Sequence, residues 1–361
     1  MDTLLDPETR GANRIIPGAV DCDVHPASPA MKELMPYLDD YLSQSVVDRG
    51  IEQLTSVHYP PNAPITCRED WRGPGDAASA LKRMQTHLLD GMGVGTAILN
   101  QMLGIQILFN ADMGAAFARG LNDFMAREWL DKDDRLRASM VLPQQSPELC
   151  VDEIERLAGD KRFVQVMMLV MGDRPLGHQM YWPIYRAAEK HGLPIAIHAG
   201  SMYRHPLTGV GWSSYHSQDY AANAVNFQTT VTSLIAEGVF TKFPNLKVVM
   251  SESGWTWLPA YLWRMDKYWH GLRMLTPWVD RLPREIIADN FRFTLQPVDA
   301  PPDRAVLEKL MEHVGTEDLL LFSTDYPHWQ FDGTECVPDG FSDSQLRKMM
   351  IDTPKATYSR L

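Results

Sequence analysis

Residues able to do chemistry stand at the ends of short apolar runs. "AVDCDVHP" (19–26) carries Asp21, Asp23 and His25; "LPIAIHAG" (193–200) carries His198, "LKVVMSES" (246–253) Glu252 and "LLLFSTDYP" (319–327) Asp325. Side chains alternate along a strand, so Asp21, Asp23 and His25 are expected on one side. Two imidazoles with carboxylates suit one first-row divalent ion, zinc first and manganese or iron as alternatives, rather than calcium. Asp23, His25 and His198 are expected to hold it. Asp325 is expected to touch the ion and to take a proton from the bound water, which a metal makes acidic near neutral pH.

Each residue has a plainer use when taken alone. A strand-end histidine such as His198 is more often structural, Asp325 in "STDYPH" can cap a loop, and Asp21 suits an anchor behind the ligands. Donor residues at four separate strand ends, against apolar residues at others, outweigh those uses. A second ion is not expected. It would need a bridging carboxylate or modified lysine at the fourth strand's end, where "MMLVMG" has nothing ionisable before Asp173 and Lys161 lies at the opposite end.

Placing these residues together requires a particular series of elements. Strands are expected at 18–25, 95–101, 136–143, 163–170, 193–200, 246–253, 291–297 and 319–327, each short, nearly all apolar and bounded by Gly, Pro or polar residues. Helical spacing marks 111–130, 147–160, 181–192 and 302–315, the last opened by Pro and closed by Gly. Alternation of this kind predicts a (β/α)8 TIM barrel with its site at the C-terminal strand ends. A doubly wound open sheet is the alternative, but no Gly-rich phosphate fingerprint follows the first strand. The Pro- and Gly-rich stretch 44–75 reads as an inserted loop region after the first βα unit, and 201–217 as a second long loop. With no linker, repeat or low-complexity tract, residues 1–361 are expected to form a single domain with its core from about 18 to 361.

The 361 residues are 45% hydrophobic and 22% charged with a net charge of −12, an ordinary globular composition that argues against nucleic-acid or anionic-lipid partners. The acidic start lacks an apolar stretch, and "VMMLVM" is too short to cross a bilayer. Cys22, Cys67, Cys150 and Cys336 are widely spaced, as in a reduced, cytoplasmic protein. Arg68 and Arg72 could clamp an anionic group of a small-molecule substrate, or be solvated loop residues. Trp255 and Trp329 could wall an apolar pocket, Trp257 reads first as a helix-packing residue, and His328 could line the pocket.

Together, "VDCDVHP", "LPIAIHAG", "FPNLKVVMSESGWTWLP" and "LLFSTDYPHW" resemble, in order and spacing, the amidohydrolase-related metal-dependent TIM-barrel proteins. The branch they resemble contains the aminocarboxymuconate-semialdehyde and resorcylate decarboxylases, and the likeness runs from about residue 18 to the closing "TPKATYSRL". The resemblance places the family's first-strand His-x-His motif on Asp23-Val24-His25, its fifth-strand ligand on His198 and its eighth-strand aspartate on Asp325. It also implies a homodimer. Glu252 stands where the family's sixth strand usually has a histidine. A carboxylate there could act as a general base and would repel a carboxylate substrate. The leaning is therefore to hydrolysis by metal-activated water, with Asp325 and Glu252 catalytic. Non-oxidative decarboxylation of an aromatic or muconate-like acid is the alternative, and a non-catalytic binding barrel the third possibility.

Overall fold

The structure is a computed structural model that describes residues 14–361 apart from 55–70, 72, 74, 75, 203, 302 and 329–335. Eight parallel strands follow one another in space in their chain order. They are β1 (Val20–Val24), β2 (Thr96–Leu99), β3 (Leu136–Val141), β4 (Phe163–Met171), β5 (Ile195–Ser201), β6 (Val248–Ser251), β7 (Phe291–Thr294) and β8 (Leu320–Leu321). The first and last are joined by Cys22 N–H to Phe322 O (2.9 Å), Asp325 N–H to Asp23 O (3.1 Å) and His25 N–H to Tyr326 O (2.7 Å). The sheet thus closes on itself, and the expected (β/α)8 barrel is the observed one. Closure explains the near-continuous apolar strands: β4 is buried along its whole length, because lumen and helices cover its two faces.

The buried apolar residues form one main cluster and two smaller ones, the smallest being Leu169 with Met202. Ala97, Leu99, Met140, Val166 and Ile197 pack in the main cluster with the surrounding helices. Val20, Cys22, Ile98, Val164, Val249 and Leu321 form a separate cluster around Tyr358. The helix Ala111–Met125 starts where Asn110 accepts from Met113 N–H, and Arg304–Val314 runs from an Asp303 cap to Gly315 at φ 82°. Pro147–Leu157 and Trp182–Lys190 also fall where spacing places them.

Other segments differ from expectation. The stretch 44–75 begins inside a helix, Asp40–Asp48, capped by Asp39 through Leu42 N–H, and most of its remainder, 55–70, 72, 74 and 75, lies outside the described residues. Residues 201–217 lead into the 21-residue helix His216–Ala236. The helix Leu258–Leu272 was not legible, because its exposed Trp263 and Tyr268 blur the apolar face that marks a surface helix. No helix among the described residues is long and apolar enough to cross a membrane.

Candidate metal centre

Four strand ends meet at the barrel mouth as the sequence reading requires. Asp23 Oδ1 lies 3.4 Å from His25 Nε2 and 3.4 Å from His198 Nε2. His25 Nε2 is 2.9 Å from Asp325 Oδ1 and 3.5 Å from Glu252 Oε1, and His198 Nε2 is 3.8 Å from the same Glu252 oxygen. His328 completes the cluster, with Nδ1 2.8 Å from Asp325 Oδ1 and 3.4 Å from Glu252 Oε1, and its ring stacks on His25 at 4.1 Å between centroids.

The imidazoles are set up to present Nε2. His25 Nδ1 sits 3.1 Å from Asn100 O, and His198 Nδ1 sits 2.8 Å from Ala199 O. A carbonyl only accepts, so each Nδ1 carries the proton and each Nε2 keeps its lone pair for a ligand.

Local backbone geometry aims the acids. Glu252 (φ 58°) and Asp325 (φ 56°) are the non-glycine residues with positive φ among those described. That region is costly for an L-residue and concentrates at functional sites. Glu252 is held there by its N–H donating to Thr294 Oγ1 (3.1 Å), and Asp325 by its N–H on Asp23 O. β1 shifts register against β2 between Asp21 and Val24, so simple alternation does not hold across it. Asp21 therefore does not join the cluster. It accepts from Thr324 Oγ1 (2.6 Å) and Thr324 N–H (3.1 Å), tying β1 to the end of β8 as the anchor reading had it.

Burial and charge pull against each other throughout. Burial pushes the His198 pKa down, but Glu252 and Asp23 outweigh it and raise it to about 9. For His25, burial and the neighbouring His328 press downward and are overcome by Asp325 and Glu252. His328 is carried well above its ordinary value despite burial, chiefly by Asp325. Burial works to raise Glu252, yet His198, His25 and His328 hold it well below the usual carboxylate range. Asp325 is raised by burial and by Glu252, and Asp21 is pushed by burial to about 7.

The donor set fits a divalent ion. Ligand atoms of Asp23, His25 and His198 lie within 4.8 Å of one another, as do those of His25, Glu252, Asp325 and His328. Asp23 Oδ2, His198 Nε2 and both Glu252 oxygens are buried without a hydrogen bond among the described residues. A buried polar atom left unmade costs roughly 1–3 kcal/mol, and a cation drawing on these lone pairs would relieve several at once. A small pocket partly open to solvent lies beside Glu252, lined by Ser201, Leu207, Asp219, Tyr220 and Asn223 among others.

Not every expected residue reaches the site. Trp255 is fully buried against Phe341 (6.3 Å between ring centroids) and does not line that pocket. Trp257 packs on Tyr261 and Phe293, as a helix-packing residue should. Arg68, Arg72 and Trp329 lie outside the described residues. Sequence reasoning missed Asn100, whose one signal was an amide directly after the apolar run of β2.

The amidohydrolase family profile matches residues 20–360, so the chain belongs to that family. It is 25% identical over 305 residues to a gamma-resorcylate decarboxylase of Polaromonas sp. (strain JS666 / ATCC BAA-500), a match covering 77% of this chain and 86% of the relative. Among solved structures, it is similar to an amidohydrolase from Mycobacterium avium subsp. paratuberculosis K-10 (TM-score 0.70, 21% identity, 95% of this chain and 99% of that one). A dihydroxybenzoic acid decarboxylase from Polaromonas sp. JS666, solved with bound manganese and the inhibitor 2-nitroresorcinol, is similar at TM-score 0.66 and 20% identity, over 95% of this chain and 97% of that one. At these identities the structural likeness is one of fold.

Proposed function

We propose that this amidohydrolase-family chain is a metal-dependent decarboxylase of a small hydroxylated aromatic acid. The observation that carries it is the match to a gamma-resorcylate decarboxylase over 77% of the chain, set beside a buried cluster rich in metal donors. Repulsion of a carboxylate substrate by Glu252 favoured hydrolysis at first sight. That charge stands 3.4 Å from Nδ1 of His328, whose proton affinity Asp325 raises, so a protonated His328 offsets part of the repulsion. The oxygen-rich donor set supports manganese at least as well as zinc.

The reaction replaces a carboxylate on one ring carbon by a proton. That carbon takes the proton, the bond to the carboxyl carbon breaks, its electron pair returns to the ring, and carbon dioxide leaves. A divalent ion bound among Asp23, His25, His198 and Asp325 would supply positive charge for the substrate carboxylate and an adjacent phenolic oxygen. His328 is the proposed proton donor, from Nε2, while Asp325 and Glu252 grip its Nδ1 side. Its side chain is 13% exposed, so solvent can restore the proton after each turnover. Asp23, His198 and Asp325 are fully buried, which keeps water from competing at the breaking bond.

Hydrolysis is the second reading, supported by the buried Glu252 carboxylate beside the ligand cluster, which could take a proton from water. One experiment separates the two. Manganese-loaded protein is incubated with dihydroxybenzoates in D2O, and carbon dioxide and ring deuteration are measured. Carbon dioxide with one deuterium at the vacated carbon is expected. No carbon dioxide from any of these acids, with ¹⁸O from labelled water entering the products of an amide and ester panel, would overturn decarboxylation.

A further inference from the structure

Beneath the ligands of β1 lies a line of buried, uncharged polar side chains that the proposed chemistry does not use. Asn100 Nδ2–H donates to Asp23 Oδ1 at 2.6 Å. Ser139 Oγ–H donates to Asn100 Oδ1, and Gln165 Nε2–H donates to Ser139 Oγ at 2.8 Å. Asn100, Ser139 and Gln165 are no more than 1% exposed. They stand just after β2, within β3 and within β4, so the line passes from strand to neighbouring strand, from β4 round to β1.

The direction of every bond follows from its last member. The Asp23 carboxylate accepts, so Asn100 must turn its amide nitrogen to it and its oxygen away. That oxygen needs a donor, which makes Ser139 the donor, and the Ser139 oxygen then accepts from Gln165. A flip of either amide breaks the line. The same Asn100 also fixes the second ligand, because its backbone oxygen faces His25 Nδ1 at 3.1 Å. One residue therefore sets both the carboxylate oxygen nearest the two imidazoles and the tautomer of His25.

The line is a poor device for stability alone. Gln165 Oε1 is buried without a hydrogen bond among the described residues, an expense an apolar side chain of similar size would avoid. We propose that Asn100, braced by Ser139 and Gln165, is a positioning residue for the metal centre that sets its affinity by holding Asp23 Oδ1 and His25 in ligating geometry. This rests on the metal reading of the site.

The test is manganese affinity of the metal-free protein by titration calorimetry, beside its thermal midpoint without metal, for wild type, Asn100→Ala and Ser139→Ala. Residues that orient ligands are typically worth about 10–100-fold in metal affinity. Asn100→Ala is expected to weaken manganese binding by about that factor, and Ser139→Ala by a smaller factor in the same direction, with metal-free midpoints close to wild type. Should Asn100→Ala fail to fold, Ser139→Ala alone decides, and unchanged affinity in it would overturn the proposal. Wild-type affinity in a folded Asn100→Ala would overturn it too while leaving the metal centre standing. Wild-type protein that binds neither manganese nor zinc would remove the metal centre and this proposal with it.

Discussion

The two halves of the barrel mouth are built on different principles. From β1 to β4, the residues behind Asp23 are neutral amides and a hydroxyl, joined in one directed line and fully buried. From β5 to β8, the ends carry His198, Glu252, Asp325 and the nearby His328, with both acids in positive-φ backbone. Hydrogen bonds between neutral groups fix position without adding charge. Charged groups packed closely in low dielectric shift one another's proton affinities. Ligand candidates stand in both halves, but only the first backs one of them with a neutral, directed line, while the second surrounds its own with mutually perturbing charges.

That contrast can be broken most sharply at a ligand. His198→Ala is expected to lower metal affinity by more than ~100-fold, beyond the loss from disturbing a ligand's support, and to abolish turnover. Metal analysis of dialysed protein reads it, and full metal occupancy would place the ion elsewhere. His328→Asn comes next, with a fall in kcat of about 10²–10⁴, the usual contribution of a positioned acid, and unchanged metal content. Loss of metal together with activity would mean that His328 is a ligand instead.

Glu252→Gln probes the same half more gently. Asp325 is the chief group raising the His328 proton affinity against burial, and Glu252 adds to it. A donor works below its pKa, so activity falls as pH rises through it. Without the Glu252 charge, that descending limb of the kcat profile should move to lower pH, with a fall in kcat of roughly tenfold at neutral pH. A limb that stays in place would detach Glu252 from proton transfer.

The smallest effect is a control away from both halves. The Arg135 hydrogen bond holds the Asp133 carboxyl at about 2, at the entrance to β3. A depressed carboxyl pKa stabilises above its unfolded value and loses that contribution as pH falls, here between about pH 4 and 2. Asp133→Asn should cost roughly 1–3 °C in thermal midpoint at pH 6, and the gap from wild type should close near pH 2. Metal affinity at neutral pH should not move.

Much of this was legible along the chain because the relevant signals are local. Parallel strands covered on both faces read as apolar runs bounded by breakers, and Asp23, His25, His198, Glu252 and Asp325 each follow or close such a run. The caps of Ala111–Met125 and Arg304–Val314 lie beside the helices they start. Asp21 read as an anchor behind the ligands, but its partner Thr324, at the far end of the chain, was not legible. A register shift likewise depends on how β1 meets β2, not on the sequence of β1.

The residue types thus determined which groups could bind an ion and at which end of the barrel they would gather. Tertiary structure alone decided how they face one another. Asn100 meets Asp23 across 77 positions of chain, Thr324 meets Asp21 across 303, and Glu252 gains its imidazole neighbours only when β1, β5 and β8 close around β6. The physical reason is range: backbone preference and apolar pattern act over a few residues, whereas hydrogen bonds and charges in a closed barrel act between whatever the closure brings within a few ångströms.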